Sequence, residues 1–384
     1  MIALESKKKL LILTDWFAPG YKAGGPIQSC VNICTALHRE YDIWVLTTDT
    51  DHGNTDPYPE ITSNAWTDNS SLGVKIFYAK KKSLSAKQLR EQIINTDADM
   101  LYLNHLFSPL FVVYPLWLKF TNAVKAKVIV CPRGALYNSA LSLKSYKKKP
   151  LLLLYKWMGI SKKILFHATN QREKEAILQH FPGSRVLIAD NLPDIYQPVF
   201  ESCKKTAGEL KCIFASRIVP IKNLLYLLQC LNAAAQKISL TVIGPVEDET
   251  YWNKCLEAIK QLPQNITVQY LGAKNNNELG QLIRQHHLFI LPTTGENFGH
   301  AIFEAMLAGR PVLISDQTPW LSLEKAKAGW DYSLNKPGLF TETINAAALF
   351  SQEEFDEYAK AAWQYAHIFI SKPDLITSYK NLFQ

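Results

Sequence analysis

The stretch LFILPTTGENFGHAIFEAMLAGRPVLISD, Leu288 to Asp316, reads as one structural unit. LFILPTT is a short apolar, strand-like run and GENFGH has the composition of a turn. AIFEAMLAG has helical apolar spacing and ends on Gly309, the residue type that closes helices in a left-handed conformation. PVLISD is strand-like again. A strand, a helix and a second strand in that order make a βαβ unit, the building block of a parallel sheet.

The same alternation extends in both directions. LLILTDWF, DIWVLTT, DMLYLNH, KVIVCPRG and KILFHAT are strand-like in the first half, with helical patterns such as Pro26–Arg39 and Gln171–Phe181 among them. The pattern lapses through IADNLPDIYQPVFESCKKTAGELK, rich in Pro, Asp, Ser and Gly, and restarts with CIFASR, LTVIGP and ITVQYLG before the opening stretch. The expected architecture is α/β, with two Rossmann-like, doubly wound parallel-sheet domains. The first spans 1–195 and the second 196–365. The tail is helical from about Gln352, and its end, about 366–384 with KPDLITSYKNLF, is expected to pack back on the first domain. In such sheets ligands bind beyond the carboxyl ends of the strands, so two such edges facing a central cleft are the expected binding region.

The length of 384 residues agrees with two domains, and 47% hydrophobic and 20% charged residues match an ordinary soluble globular protein. Three lysines precede the first apolar run, which is too short to span a bilayer and lacks a small-residue cleavage site. A buried first strand and a cytoplasmic protein are expected. Seven cysteines form no paired framework, and Cys30 and Cys34, one helical turn apart, have no partner ligands at metal spacing. They read as buried thiols. The net charge is +8, concentrated in Lys144–Lys163, KSYKKKPLLLLYKWMGISKK, which has seven lysines and no acid. That segment is either a solvated helix face or a basic, aromatic-bearing surface for anionic lipid or a charged acceptor. The second reading implies a peripheral position on the inner face of the cytoplasmic membrane. Nucleic acid is not an expected partner, since no arginine-rich strip or recognition motif is present.

Several residues following strand ends are candidates for chemistry. Arg217 comes just after a strand, and Lys222 stands at a helix entry; two cations there are either ordinary loop charges or a diphosphate site. Glu296 lies in the turn between Gly295 and Gly299, which let backbone approach a ligand closely. Glu304 lies deeper in the helix among Ile302, Phe303, Ala305 and Met306, where a ribose diol is a suitable pair of donors. In the first half, Gly24, Gly25 and Pro26 sit between the first strand and its helix, where the glycine pair can present amides to a phosphate. No GxGxxG fingerprint occurs, which counts against a dehydrogenase. His105, and Arg133 with Gly134, follow two further strand ends. The acidic pairs at Asp49–Asp51 and Asp97–Asp99 resemble metal-holding motifs, but the second precedes a strand and so faces away from the binding edge. Without a metal, cations must neutralise a leaving diphosphate.

Taken together, SRIVPIKN followed by GENFGHAIFEAMLAGRPVLISD resembles the retaining glycosyltransferases of family 4, of GT-B fold. The matching features are two glutamates with seven residues between them, Phe and Gly just after the first, and the preceding arginine and lysine. The glycine-rich first loop and the PRG strand end match as well. The resemblance implies a hexosyltransferase-type enzyme that uses a UDP- or GDP-sugar and needs no metal or other cofactor. Its catalytic residues would be His105, near the reacting carbon; Arg217 and Lys222, on the diphosphate; and Glu296, on sugar hydroxyls. Donor binding would add Gly24, Gly25 and Arg133, the amides of Asn297, Phe298, Gly299 and His300, and Glu304 on the ribose. The resemblance further implies retention by front-face attack, assisted by the leaving phosphate. Its implied acceptor is a lipid-linked or growing cell-surface glycan, in polysaccharide, O-antigen or capsule biosynthesis. One departure is Ser216, where the family often has glycine before the arginine. Two other readings of the glutamate pair stand beside this one: a glycoside hydrolase using Glu296 and Glu304 as acid and base, and a non-catalytic nucleotide-sugar or glycan-binding protein.

Overall fold

The computed structural model describes residues 7–142, 145–194 and 199–384. The junction expected at residue 195 and Lys144 of the basic segment lie outside them. The chain divides into two compact units, Met1–Ile195 with Pro373–Gln384, and Tyr196–Lys372.

The first unit is built on eight strands: β1 (Lys9–Leu13), β2 (Asp42–Thr48), β3 (Trp66–Asn69), β4 (Val74–Ala79), β5 (Met100–Asn104), β6 (Lys127–Cys131), β7 (Leu165–Ala168) and β8 (Arg185–Ile188). Their spatial order is β3-β4-β2-β1-β5-β6-β7-β8, and only β3 runs antiparallel to its neighbour. The second unit carries β9 (Glu209–Ala215), β10 (Lys237–Ile243), β11 (Ile266–Tyr270), β12 (Leu288–Leu291), β13 (Val312–Ser315) and β14 (Gly329–Tyr332). Their order is β11-β10-β9-β12-β13-β14, parallel throughout. Central strands such as β5, β12 and β13 are buried along their whole length, as apolar runs covered on both faces must be.

The strand order places the binding edges. In the first unit the chain steps outward from β1 through β2, then returns to the other side with β5; in the second it steps from β9 to β10, then returns with β12. Loops after the two strands flanking such a reversal diverge, leaving a crevice at the carboxyl ends. The loop after β1 holds Gly24 and runs into a helix that starts at Gly25, and the loop after β5 holds His105. The loops after β9 and β12 hold Arg217, Lys222 and Glu296.

The opening stretch folds as strand, turn, helix His300–Leu307 and strand. Gly309 takes φ 72°, its amide bonds to Met306 O at 2.9 Å, and the Arg310 amide to Ala305 O at 2.8 Å. These are the two bonds of a Schellman closure. Strands β3, β4, β8 and β14 were not read beforehand. Strands β3, β8 and β14 have only four residues each and lie at sheet edges, where the apolar signal is weak. The cysteines are all unpaired; Cys30 and Cys34 are fully buried, and burial pushes the Cys30 thiol up to about 12.

Each unit buries a neutral histidine. His167 accepts from the Tyr102 hydroxyl at Nδ1 (2.9 Å) and donates from Nε2 to Ala189 O (2.8 Å). Burial, with Arg133 nearby, lowers it to about 3. His287 accepts from the Lys211 amide (3.0 Å) and donates to Lys204 O (2.9 Å); burial lowers it to about 4. Both folded values lie below the unfolded 6.5, so the unfolded chain binds more protons and acid favours it. Stability is therefore expected to fall as pH drops below about 6.5, by at most about 1.4 kcal/mol per pH unit for each histidine. Denaturant midpoints measured at pH 7.5 and pH 5 check this; equal midpoints would contradict it.

Candidate functional site

In the second unit, β9 ends in a loop held against the loop after β10. The Ser216 amide donates to Ile243 O (2.9 Å) and the Ile218 amide to Pro245 O (2.8 Å), and Ile218 and Val246 form a short bridge. Gly244 makes this approach possible: at φ 139°, its added Cβ would stand 1.9 Å from Ser216 O. Arg217, projecting beside this seam, donates from Nη1 to Glu247 Oε2 at 2.9 Å. Glu247 was not recognised in the sequence as a partner, because Arg217 and Glu247 lie thirty residues apart and only the loop seam joins them.

After Arg217 the chain makes a helical turn, Pro220–Lys222, and Asn223 takes a left-handed conformation at φ 62° before the helix Leu224–Asn232. This turn is sewn to the loop after β12. Buried Thr293 donates its hydroxyl to Ile221 O (3.0 Å), and the Thr294 amide bonds to the same carbonyl (2.8 Å). The loop is fixed on its other side by Ser315 Oγ donating to Thr293 O (2.5 Å) and the Glu296 amide to Gln317 O (3.0 Å). Three strand ends thus converge, and Lys222 Nζ donates to the Glu296 carboxylate, with only 12% and 13% of the two side chains exposed. The sequence reading named both residues in separate roles; the fold makes them an ion pair.

Beyond Glu296, Asn297 is half-buried, and Phe298 is a core residue packed on Trp320 and Phe303. Its carbonyl accepts from Trp320 Nε1 at 2.5 Å. Gly299, at φ 78°, starts the helix His300–Leu307 without a side-chain cap, leaving the first turn's amides at the carboxyl end of the sheet. A Cβ at this glycine would meet Ile302 Cδ1 at 2.8 Å. Glu304 is half-buried on the stripe it shares with His300 and Ala308, while Ile302, Phe303, Ala305, Met306 and Leu307 face the core.

In the first unit, exposed Gly24 (φ 67°) precedes the helix Gly25–Leu37. Its loop is held by Asp51, whose carboxylate accepts from the Tyr21 amide (3.0 Å), the Lys22 amide (3.2 Å) and the His52 amide (2.7 Å). Asp49 likewise accepts from Ser63 Oγ (2.8 Å) and the Lys81 amide (3.0 Å). The acidic pair that resembles a metal motif is a backbone clamp. Asp99 accepts from the Lys9 amide (2.7 Å) at the opposite edge of the sheet.

His105 follows β5 at φ 92°, a conformation strained for a residue with a Cβ. Its amide bonds to Cys131 O (2.9 Å), and its Nδ1 accepts from the Phe107 amide (3.3 Å), which leaves the proton on Nε2. Ser108 in the same loop donates to Asp15 after β1 (2.7 Å), and burial raises the Asp15 carboxyl. Arg133 is turned inward. It donates to Asn104 Oδ1 (2.9 Å), to the Tyr102 hydroxyl (3.0 Å) and to Asn191. The structure thus gives it an internal bracing role where a donor contact was expected, because these acceptors meet only in the folded sheet. Gly134 beside it donates to buried Glu173 (2.5 Å).

The Arg217–Glu247 pair is partly exposed, at 39% and 19%, so it contributes at most about 1 kcal/mol. Glu247→Ala is expected to change the KM of any anionic ligand that Arg217 holds by no more than about five-fold. Steady-state kinetics check this, and a larger change confined to kcat would place Glu247 at the reacting atoms instead.

Residues 199–360 match the family described as glycosyl transferases group 1. No curated protein sequence matches the chain. Among solved structures, it is similar to Anabaena HepE in complex with UDP and glucose, at 16% identity over 98% of both chains with a TM-score of 0.69. It is also similar to sucrose-phosphate synthase from Thermosynechococcus elongatus, at 13% identity over 98% of both, TM-score 0.73. A third is WaaG, a glycosyltransferase involved in lipopolysaccharide biosynthesis, at 13% identity over 97% of this chain and 98% of that one, TM-score 0.65. At such identities the likeness establishes the fold, which is GT-B.

Proposed function

We propose, from the match of residues 199–360 to the glycosyl transferases group 1, that the chain is a glycosyltransferase running a retaining, metal-independent reaction on a UDP- or GDP-sugar. The acceptor in this reading is a lipid-linked or growing cell-surface glycan, and the basic segment brings the first unit to an anionic membrane surface. The observation that carries the reading is the Lys222–Glu296 pair at the point where the strand order of the second sheet reverses.

Arg217 and Lys222 supply the positive charge for the donor diphosphate, beside the helix that begins at Leu224. Glu296 and the amides of Asn297 to His300 take the sugar hydroxyls, and Glu304 takes the ribose. Gly24, Gly25 and His105 are the candidates of the first unit. In the reaction, the bond from the anomeric carbon to the diphosphate breaks, and its electron pair leaves on the phosphate oxygen. Lys222 turns from Glu296 toward that growing charge, where a preformed cation lowers the barrier. The acceptor hydroxyl bonds to the same face of the carbon and passes its proton to the departing phosphate.

The HepE complexes with UDP and glucose and with UDP-glucose make UDP-glucose the first donor to try, and WaaG's part in lipopolysaccharide biosynthesis favours a cell-surface acceptor. Among the described residues no helix is long and apolar enough to cross a membrane. The test is a thermal-shift screen of UDP, GDP, ADP and their sugars, followed by turnover with candidate acceptors. A nucleotide at 100 times its Kd should add roughly 2.7 kcal/mol. Nucleoside diphosphate released only when acceptor is present supports transfer. Binding without turnover supports the non-catalytic reading, and cleavage of a glycan without any nucleotide supports the hydrolase.

A further inference from the structure

The helix Ser145–Trp157 buries only Leu152 and Tyr155. It leaves Tyr146 70%, Leu153 66% and Trp157 76% exposed. A second helix, Tyr114–Phe120, leaves Trp117 45% exposed. Trp117 lies 5.7 Å from the Phe120 ring, and Phe120 lies 6.4 Å from Trp157, so one aromatic strip joins the two helices. The chain has nine tryptophans, and among the described residues the exposed ones are these two.

The charge around the strip has one sign. No aspartate or glutamate occurs between Asp99 and Glu173, whereas that stretch carries twelve lysines and arginines. Lys147, Lys149, Lys156, Lys162 and Lys163 are exposed, and Lys163 Nζ stands 5.2 Å over the Phe120 ring. Protruding Trp and Leu tips within a lysine frame match the two halves of a lipid interface: acyl boundary for the rings, anionic headgroups for the ammonium groups. A second copy of the chain would bring lysine against lysine. A protein partner is disfavoured too, since interfaces are enriched in arginine and depleted in lysine, and no arginine lies between Arg133 and Arg172.

We propose that the first unit docks on anionic membrane by inserting Trp117, Leu153 and Trp157 into the interfacial zone of one leaflet, with the lysines on the headgroups. This rests on the membrane reading above and deepens it. The contact is an inserted wedge formed by two helices, not a lysine-only electrostatic surface.

The test uses the full chain with phosphatidylcholine vesicles, with and without phosphatidylglycerol, and with acyl chains brominated near the headgroup. Expected are binding to the anionic vesicles only, weakened by salt, and quenching of tryptophan emission by the bromines. The combined variant Trp117→Ala, Leu153→Ala, Trp157→Ala should lose vesicle partitioning by about ten-fold or more, while its melting temperature and nucleotide shift stay unchanged. A second variant, Lys147→Gln, Lys149→Gln, Lys156→Gln, should lose the preference for anionic lipid but keep the residual quenching. Full partitioning of the aromatic variant, absence of quenching, or equal binding to neutral vesicles overturns the proposal. Vesicle binding without any nucleotide shift would leave the wedge standing and remove the transferase reading instead.

Discussion

Lys222→Ala is expected to reduce sugar transfer by about 10²- to 10³-fold, the usual cost of removing one preorganised group from a developing negative charge. It should also weaken nucleoside diphosphate binding, because the loss removes a cation held at a crevice between three strand ends. Glu296→Gln separates the two roles. Without that carboxylate, Lys222 loses the counter-ion it is paired with, so diphosphate affinity should hold or rise while transfer falls by a comparable factor. Calorimetric titration with UDP and GDP, beside initial rates, checks the pair. Loss of nucleotide binding in both variants would mean that the pair serves only to hold the loops together. The fold of each variant is checked by its melting curve, since removing one partner leaves a largely buried charge unmatched.

Gly244→Ala is expected to cost about 3 kcal/mol or more, through a clash added to backbone strain. Its Cβ would stand 1.9 Å from the Ser216 carbonyl oxygen, a backbone atom that cannot swing aside, and its φ of 139° suits glycine alone. The seam between the loops after β9 and β10 would open, carrying Arg217 and Glu247 with it. Gly208→Ala is the matched control: φ is 88° but nothing lies within 4 Å of the added carbon, so strain alone should cost about 1–2 kcal/mol. Denaturant midpoints for the two variants decide the matter. Equal destabilisation would show that the close approach is not what requires glycine.

Much of the architecture could be read before the structure because it rests on local periodicity. Strand β2 has the bounds its apolar run implied, and the helix after Gln171 differs from expectation only at its end. The residue types of the candidate site were legible for the same reason, standing just past strand ends where a parallel sheet collects ligands. Their partners were not. Glu247 carried no signal in sequence, and neither did the amides that the Asp49 and Asp51 carboxylates accept from. Arg133 stood in a plausible strand-end position, yet its guanidinium serves Tyr102, Asn104 and Asn191. The basic segment showed its lysines and its apolar run, but Trp117, far off in sequence, joins that surface only through Phe120.

By itself, then, the sequence determined the alternation of strands and helices, the closing of the helix at Gly309, and which charged residues would sit at strand ends. These follow from side-chain periodicity and backbone conformational preference, which act over a few residues. Only the tertiary structure decided that Lys222 meets Glu296, that Arg217 meets Glu247, and that Arg133 turns inward. A charged side chain's partner is set by which loops the strand order brings together, and β12 comes to lie beside β9 across more than seventy residues of intervening chain.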